Sequence, residues 1–400
     1  LDKLIEHLWP ILKQITGYIY PNEIELHWGI LIVIYPYITG LVAGAFILAS
    51  LVKVFNVKEV QPTYRLSLLT ALAFLIVAPM PLLAHLGRPE RSLEIFLTPN
   101  RSSAMAMFGF VYAWYLMAVL LLEIWFEYRR DLIIWAKEGK GLKKWIQRFI
   151  ALFSTDTSEK SVEFDKKAVK AITVIGIPSA FLLHGYVGFI FGSVKANPWW
   201  SSVLMPIVFL FSAIVSGIAL VLLIYMVVTL VRGEELDIVC LDKLASFLFY
   251  VMIVDFSLEA LDFLHRLYES EESIKILAQL ISGKLFTSLV VIQLLIGMIL
   301  PLIALASVKL FKLPVELRKH IYFVSTLLIQ VGIFATRWNV VIGGQLFSKS
   351  FRGLTAYKMT LGGAEGLLVS LGFLILPLLI LYVLVKILPP WQVKVKISSN

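Results

Sequence analysis

FLLHGYVGFIFG, Phe181–Gly192, is the far end of an apolar run that begins near residue 168, and the length of that run decides the fold. About 20 apolar residues wound as a helix cross a ~30 Å hydrocarbon layer. Runs of this kind recur at 28–52, 64–86, 103–126, 168–192, 201–231, 243–266, 284–309, 318–338 and 363–388. The chain has 400 residues, 59% hydrophobic and 16% charged, with a mean hydropathy of +0.86. A water-soluble protein of this size cannot hide so much apolar surface. The sequence predicts an all-α integral membrane protein of about nine transmembrane helices. Within that frame His184 and Tyr186 are anomalies, since both can exchange a proton at a depth where polar groups are costly.

Lys and Arg orient the chain. The connection 127–167 is the longest and most basic, with Arg129, Arg130, Lys137, Lys140, Lys143, Lys144 and Arg148. Placing it in the cytoplasm puts about 23 of the 36 basic residues inside. The N-terminus is then outside and the C-terminus cytoplasmic, in a cell (inner) membrane. The net charge of +9 reflects this topology and not nucleic-acid binding. The chain begins at Leu1, so a start residue or leader is expected before it, and no secretory signal is visible. Cys240 is the single cysteine, which excludes a disulfide, a Cys-ligated iron–sulfur cluster and a CxxCH haem attachment. Electrons must be carried by another subunit or a diffusible molecule.

Leu1, Leu4, Ile5, Leu8, Leu12, Ile15 and Ile19 share one helical face, predicting an amphipathic surface helix over 1–20. Leu142, Trp145, Ile146, Phe149, Ile150 and Phe153 predict another at the cytoplasmic surface. Three pairs of stretches match in the same order. TGLVAGAFIL (39–48) pairs with SAIVSGIALV (212–221), aligning Gly44 with Gly217. AHLGRPERS (84–92) pairs with LHRLYESEE (264–272), aligning His85 with His265, and YVGFI (186–190) pairs with QVGIF (330–334). A duplicated four-helix unit follows, with an axis along the membrane normal. The expected divisions are a first bundle at 28–192 containing the loop 127–167, a second bundle at 201–338, an outer loop at 339–362, and an extra span with a cytoplasmic tail at 363–400.

Asp255, Glu259, Asp262 and Arg266 stand at i, i+4, i+7 and i+11, one face of a helix roughly 16 Å long. A charge at mid-depth costs about 2.5–3.5 kcal/mol, so this stripe must face a cavity or other helices. An interhelical salt-bridge ladder would explain it, but three acids against one base favour proton handling or ligand contact. His27, His85, His184, His265, Arg337 and Glu365 also fall in the outer half, while the inner half is poorer, with Glu123 near its end. His85 and His184 are candidates for a haem pair, but no second pair or repeated spacing supports one. His184 and Tyr186 point about 200° apart, so one narrow pocket cannot take both. Helix–helix hydrogen bonding is the ordinary role for either.

HWGILIVIYPYITGLVAGAF (27–46), LLAHLGRPERS (82–92), and HGYVGFIFGSVKANPWW (184–200) followed by SAIVSGIAL (212–220) resemble the NrfD/PsrC family, membrane subunits of polysulfide-reductase-like complexes. TRWNVVIGGQ (336–345) is similar to longer members of the hydrogenase and sulfur-compound reductase type. The resemblance spans helices one to eight and implies two four-helix bundles. It also implies a menaquinone-like quinone near the outer face, beside a docked ferredoxin-like iron–sulfur subunit. That subunit would exchange electrons with a catalytic subunit, molybdopterin-containing in many complexes. By position Tyr186 matches the quinone-contacting tyrosine, His27 lines the site, and Asp255 or Glu259 corresponds to the acid of span six. The ninth span and the long basic connection depart from the family pattern.

The expected function is the quinone-reactive anchor of a respiratory oxidoreductase, of polysulfide, thiosulfate, tetrathionate or sulfur reductase type or linked to hydrogenase. Tyr186 and His27 would bind the ring, Asp255 and Glu259 would relay protons, and His85, His184, Asp262 and Arg337 would support them. No metal ligands are expected in this chain. A secondary transporter using the acid stripe is the alternative, distinguished by working without an iron–sulfur partner.

Overall fold

A backbone in lipid has no water to bond, so each apolar run closes its hydrogen bonds internally as a helix. The computed structural model describes residues 8–269 and 271–391. Among them nine helices are long and apolar enough to span a membrane: α1 Ile30–Lys53, α2 Lys58–His85, α3 Ala104–Glu138, α4 Glu159–Gly192, α5 Met205–Val231, α6 Ile238–Glu269, α7 Phe286–Leu310, α8 Val315–Gln345 and α9 Leu367–Ile387. The protein is an all-α, multi-pass membrane protein. Helix α2 breaks after Val77, where Pro79 and Pro81 remove two N–H donors. Wide i→i+5 turns occupy Tyr115–Leu120 of α3 and Phe286–Ile299 of α7.

Helices α1 and α5 form the centre. Each packs against the other and against α4 and α8; α1 adds α2, and α5 adds α6. The two meet where Gly44 faces Gly217: a Cβ on Gly217 would lie 2.4 Å from the Gly44 Cα. These are the residues that the internal repeat aligns, so the two units we propose from that repeat meet at equivalent positions. Helix α9 packs on α2 and α1.

Three expectations need correction. The connection 127–167 is largely helix, since α3 runs on to Glu138 and α4 starts at Glu159. Only 139–158 joins them, including a short helix at Gly141–Ile150 that exposes Leu142, Trp145 and Phe149. Arg129 fixes this connection, pairing with Asp165 at 2.8 Å and donating to the Asp156 carbonyl. The surface helix expected over 1–20 is shorter at its end: residues 8–12 are helical, but Thr16–Gly17 is a strand (β1) paired antiparallel with Gly353–Leu354 (β2). Leu1, Leu4 and Ile5 lie outside the described residues, as does the tail after 391. The loop expected at 339–362 starts later, because α8 continues to Gln345.

Candidate functional site

Helices α4, α6 and α8 end, and α1 begins, at one face of the protein, here the His27 face. Helix α6 turns its charged stripe inward: Asp255 is buried, and Glu259, Asp262 and Arg266 are partly so. The stripe then divides. Nearer the His27 face, Arg266 pairs with Asp262 at 3.0 Å and donates to the Pro198 carbonyl, and Ser202 donates to Asp262. This part ties α6 to the 193–204 connection.

Deeper, Glu259 accepts from Gln293 Nε2 (3.1 Å), Gln293 Oε1 accepts from Asn339 Nδ2 (2.7 Å), and Asn339 Oδ1 accepts from Ser288 (2.6 Å). Ser288 and Gln293 both lie on the wide-turn stretch of α7. Wide turns recur at functional sites because they redirect side chains that α geometry would place elsewhere.

Arg337 of α8 is fully buried. Its Nη2 donates to Ser212 Oγ (2.6 Å) and to His184 Nε2 (3.2 Å), and its guanidinium lies 4.3 Å over the Phe209 ring. A guanidinium only donates, so His184 Nε2 must accept and the proton sits on Nδ1. Nδ1 faces Thr39 Oγ1 at 3.3 Å, and Thr39 donates onward to the Tyr35 carbonyl at 3.1 Å. One residue each from α1, α4, α5 and α8 is thus joined in a single polar contact. Asp255 and Glu259 are the carboxylates that act electrostatically on Arg337. Arg337 Nε and Nη1, Asp255 Oδ1 and Glu259 Oε1 are all buried without a protein hydrogen-bond partner. Buried polar atoms in proteins are nearly always satisfied, so these four are among the exceptional polar atoms of the core.

Tyr186 points the other way, as the 100° helical step requires. Its hydroxyl donates to the Ala104 carbonyl at 2.8 Å, and its ring stacks on Phe108 at 5.8 Å. Phe108 in turn meets Tyr35 edge-on, and the buried Tyr35 hydroxyl has no partner. His27 is exposed beside Trp28, which stacks on Trp200. His85 pairs with Glu365 at 2.8 Å. Both nitrogens of His184 are engaged within the core and His85 is held by Glu365, so these histidines serve separate contacts. Among the described residues no cluster of three His, Cys, Asp or Glu could hold a metal ion.

The four expected ligand residues are therefore dispersed: Tyr186 meets α3 at Ala104 and Phe108, His27 is exposed ahead of α1, and Asp255 and Glu259 face Arg337 from α6. Gln293, Asn339, Ser212 and Thr39 escaped sequence reasoning. Gln293 and Asn339 could have been found as amides inside apolar runs, but single hydroxyls in spans carry little signal.

Behind the start of α1, Ile30 N–H donates to the Tyr357 hydroxyl at 3.0 Å, and the Gln345 amide brackets Trp28 through its N–H and carbonyl at 3.0 Å each. Burial holds the Tyr357 hydroxyl above its usual pKa; the Ile30 N–H opposes the shift and the Glu365 charge adds to it.

Nine spanning helices among the described residues, around a charged and incompletely paired core, define the class: a multi-pass membrane protein with buried ionisable groups. The family model for polysulphide reductase, NrfD, matches residues 21–349, and the chain belongs to that family. It is 38% identical over 207 residues to the C subunit of selenate reductase from Mesobacillus selenatarsenatis, covering 50% of this chain and 47% of that protein. It is 30% identical over 204 residues to the putative C-type membrane subunit of dimethyl sulfoxide reductase from Halobacterium salinarum, covering 49% and 42%. A longer match, 24% identical over 347 residues, covers 86% of this chain and 77% of the Hdr-like menaquinol oxidoreductase integral membrane subunit of Archaeoglobus fulgidus. The first two matches span less than half the length of those relatives.

Proposed function

We propose that this chain is the quinone-reactive membrane anchor of a respiratory oxidoreductase. The observation that carries the reading is the buried group of Arg337, His184, Asp255 and Glu259, with four polar atoms left open, inside the fold of this family. Exchange between quinone and quinol moves two electrons and two protons, so a site for it needs an apolar approach and groups that accept or supply protons. The menaquinol relative, matched along most of both chains, supports the same chemistry.

A ring would sit on the Tyr186 side, where Phe108 and Tyr186 offer aromatic faces and the Tyr35 hydroxyl is unpartnered; His27 is exposed ahead of α1. A bound quinone supplies the two-electron chemistry. Tyr186 and His27 orient its oxygens, and the apolar walls exclude water. Asp255 and Glu259 hold protons, and Arg337 and His184 set the charge and hydrogen bonding between these carboxyls and the ring side. With Cys240 buried as the single cysteine, electrons come from a docked iron–sulfur subunit, itself served by a catalytic subunit. The Lys and Arg distribution supports placing the His27 face outside a cytoplasmic membrane and the docking there.

Tyr186→Phe and Asp255→Asn in the intact complex are expected to slow quinone-linked turnover at least tenfold with the set of assembled partners unchanged. Unaltered turnover in both variants would remove the site. Mass spectrometry of the native complex checks the partner reading.

A further inference from the structure

A cavity of about 680 Å3 opens at the His27 face, outside the buried cluster; Phe189, whose ring lies 5.6 Å from that of Tyr186, belongs to its wall, whereas Tyr186 does not. The ends of α4 and α6, the start of α5 and the helix Ile274–Ser282 enclose it. Phe189, Leu204, Pro206 and Leu277 make its walls apolar, and the Asp262–Arg266 pair and His265 stand at its polar end. Its volume falls within the range of ordinary small-molecule pockets.

The internal repeat gives this cavity a counterpart. The start of α5 corresponds to the start of α1, the end of α6 (His265) to the end of α2 (His85), and the end of α4 to the end of α8. In the first half that corner is filled by the chain itself. A Cβ on Gly29 would lie 3.1 Å from the Tyr357 hydroxyl and 3.4 Å from Glu365 Oε2, and His85 is bound to Glu365. Tyr357 also sits edge-on to Trp338 of α8. An aromatic phenol and a polar partner for the histidine thus occupy the first corner. The second has the same helix ends and an equivalent histidine, but no such segment.

We propose that the second corner is a binding site for a lipophilic ring with neutral oxygen substituents, a quinol or quinone, distinct from the ring site beside Tyr186. The ligand class rests on the quinone reading above. Tyr357 shows what suits the equivalent corner: a phenol ring with its oxygen at the helix end. The charges favour a neutral head over an anionic lipid phosphate, since Lys195 and Arg266 line the cavity with Asp262, Glu269 and Glu271. Three carboxylates against two cations repel a phosphate more than they attract it. His265, 3.5 Å from Glu269, offers a hydrogen bond to a ring oxygen, and Phe189 and Pro206 give a tail an apolar way out to lipid.

The test uses the full chain in phosphatidylcholine nanodiscs with a photoactivatable azido-menaquinone and peptide mapping, with and without excess menaquinone. Competable labelling is expected both on peptides of 104–112, beside Tyr186, and on peptides of 198–206 and 262–277. Val203, 92% exposed at the mouth, can be enlarged without disturbing the core. Val203→Trp is expected to lower labelling of the second set at least fivefold and leave the first unchanged. Labelling confined to the Tyr186 set overturns the second site and leaves the quinone reading standing. No competable labelling anywhere overturns both. Displacement of the probe from the second set by added phosphatidylglycerol overturns the choice of a neutral ring.

Discussion

Gly44 and Gly217 approach so closely that neither can carry a side chain in place. A Cβ on Gly44 would lie 2.0 Å from the Ala213 carbonyl oxygen, and one on Gly217 would lie 2.4 Å from the Gly44 Cα. Backbone cannot swing aside as a flexible side chain can, so the central helices must separate. Overpacking of this kind costs about 1–3 kcal/mol. Gly217→Ala is expected to lower the detergent melting temperature by several degrees, and Gly217→Leu to abolish accumulation. Wild-type melting of Gly217→Ala would show that α1 and α5 do not need this crossing.

Arg337 is expected to be the least replaceable ionisable residue of the core. Removing it leaves the buried Asp255 and Glu259 without the one cation that acts on them, and the Ser212 and His184 hydrogen bonds are lost with it. Arg337→Met should therefore reduce accumulation sharply. Adding Asp255→Asn and Glu259→Gln should restore folding but not quinone-linked turnover. Failure of the triple variant to recover folded protein would show that Arg337 acts through Ser212 and His184 alone.

Tyr357→Phe removes the acceptor of the Ile30 N–H, and a lost hydrogen bond of this kind costs about 0.5–1.5 kcal/mol. The same variant has a pH signature. Burial raises the native Tyr357 pKa, so the native state keeps the proton while the unfolded chain releases it near pH ~10. Stability is unaffected below that value and falls as pH rises above it. Melting curves from pH 9 to 11 should thus decline more steeply for the wild type than for Tyr357→Phe. Parallel curves would contradict the burial of this hydroxyl.

Arg129→Ala should free the 139–158 connection. The pair with Asp165 is nearly buried, at 8% side-chain exposure on both sides. Limited proteolysis should then cut within 139–158 at least tenfold faster, because the remaining helix Gly141–Ile150 is short and exposes its apolar residues. Unchanged cleavage would mean that the connection is fixed elsewhere.

Helix number was legible because bilayer thickness sets the length of an apolar run. The inward turn of Asp255 was legible because lipid cannot solvate a charge, and the opposition of His184 and Tyr186 follows from the helical step. Helix ends were not, since apolarity stops at the membrane while backbone hydrogen bonding continues, as it does from Trp125 to Glu138. The junction of Thr39, His184 and Arg337 was hidden for another reason. Its members are 145 and 153 positions apart, and such pairings leave no local pattern. Two-residue strands such as Thr16–Gly17 are too short to show alternation. That Tyr186 turns away from the Arg337 group, which Asp255 and Glu259 face, was hidden because depth along a helix is readable in sequence and the azimuth between helices is not.

The hydrogen bond between Ile30 and Tyr357 also sets an order of synthesis. Its partners are 327 residues apart. At translation rates of about 5–20 residues per second, the first turn of α1 waits roughly 15–65 s for its hydroxyl partner. Thr16 and Gly17 wait as long for their strand. The His27 face is therefore completed late in synthesis, and a ribosome stalled before residue 357 leaves it open to whatever holds nascent membrane proteins.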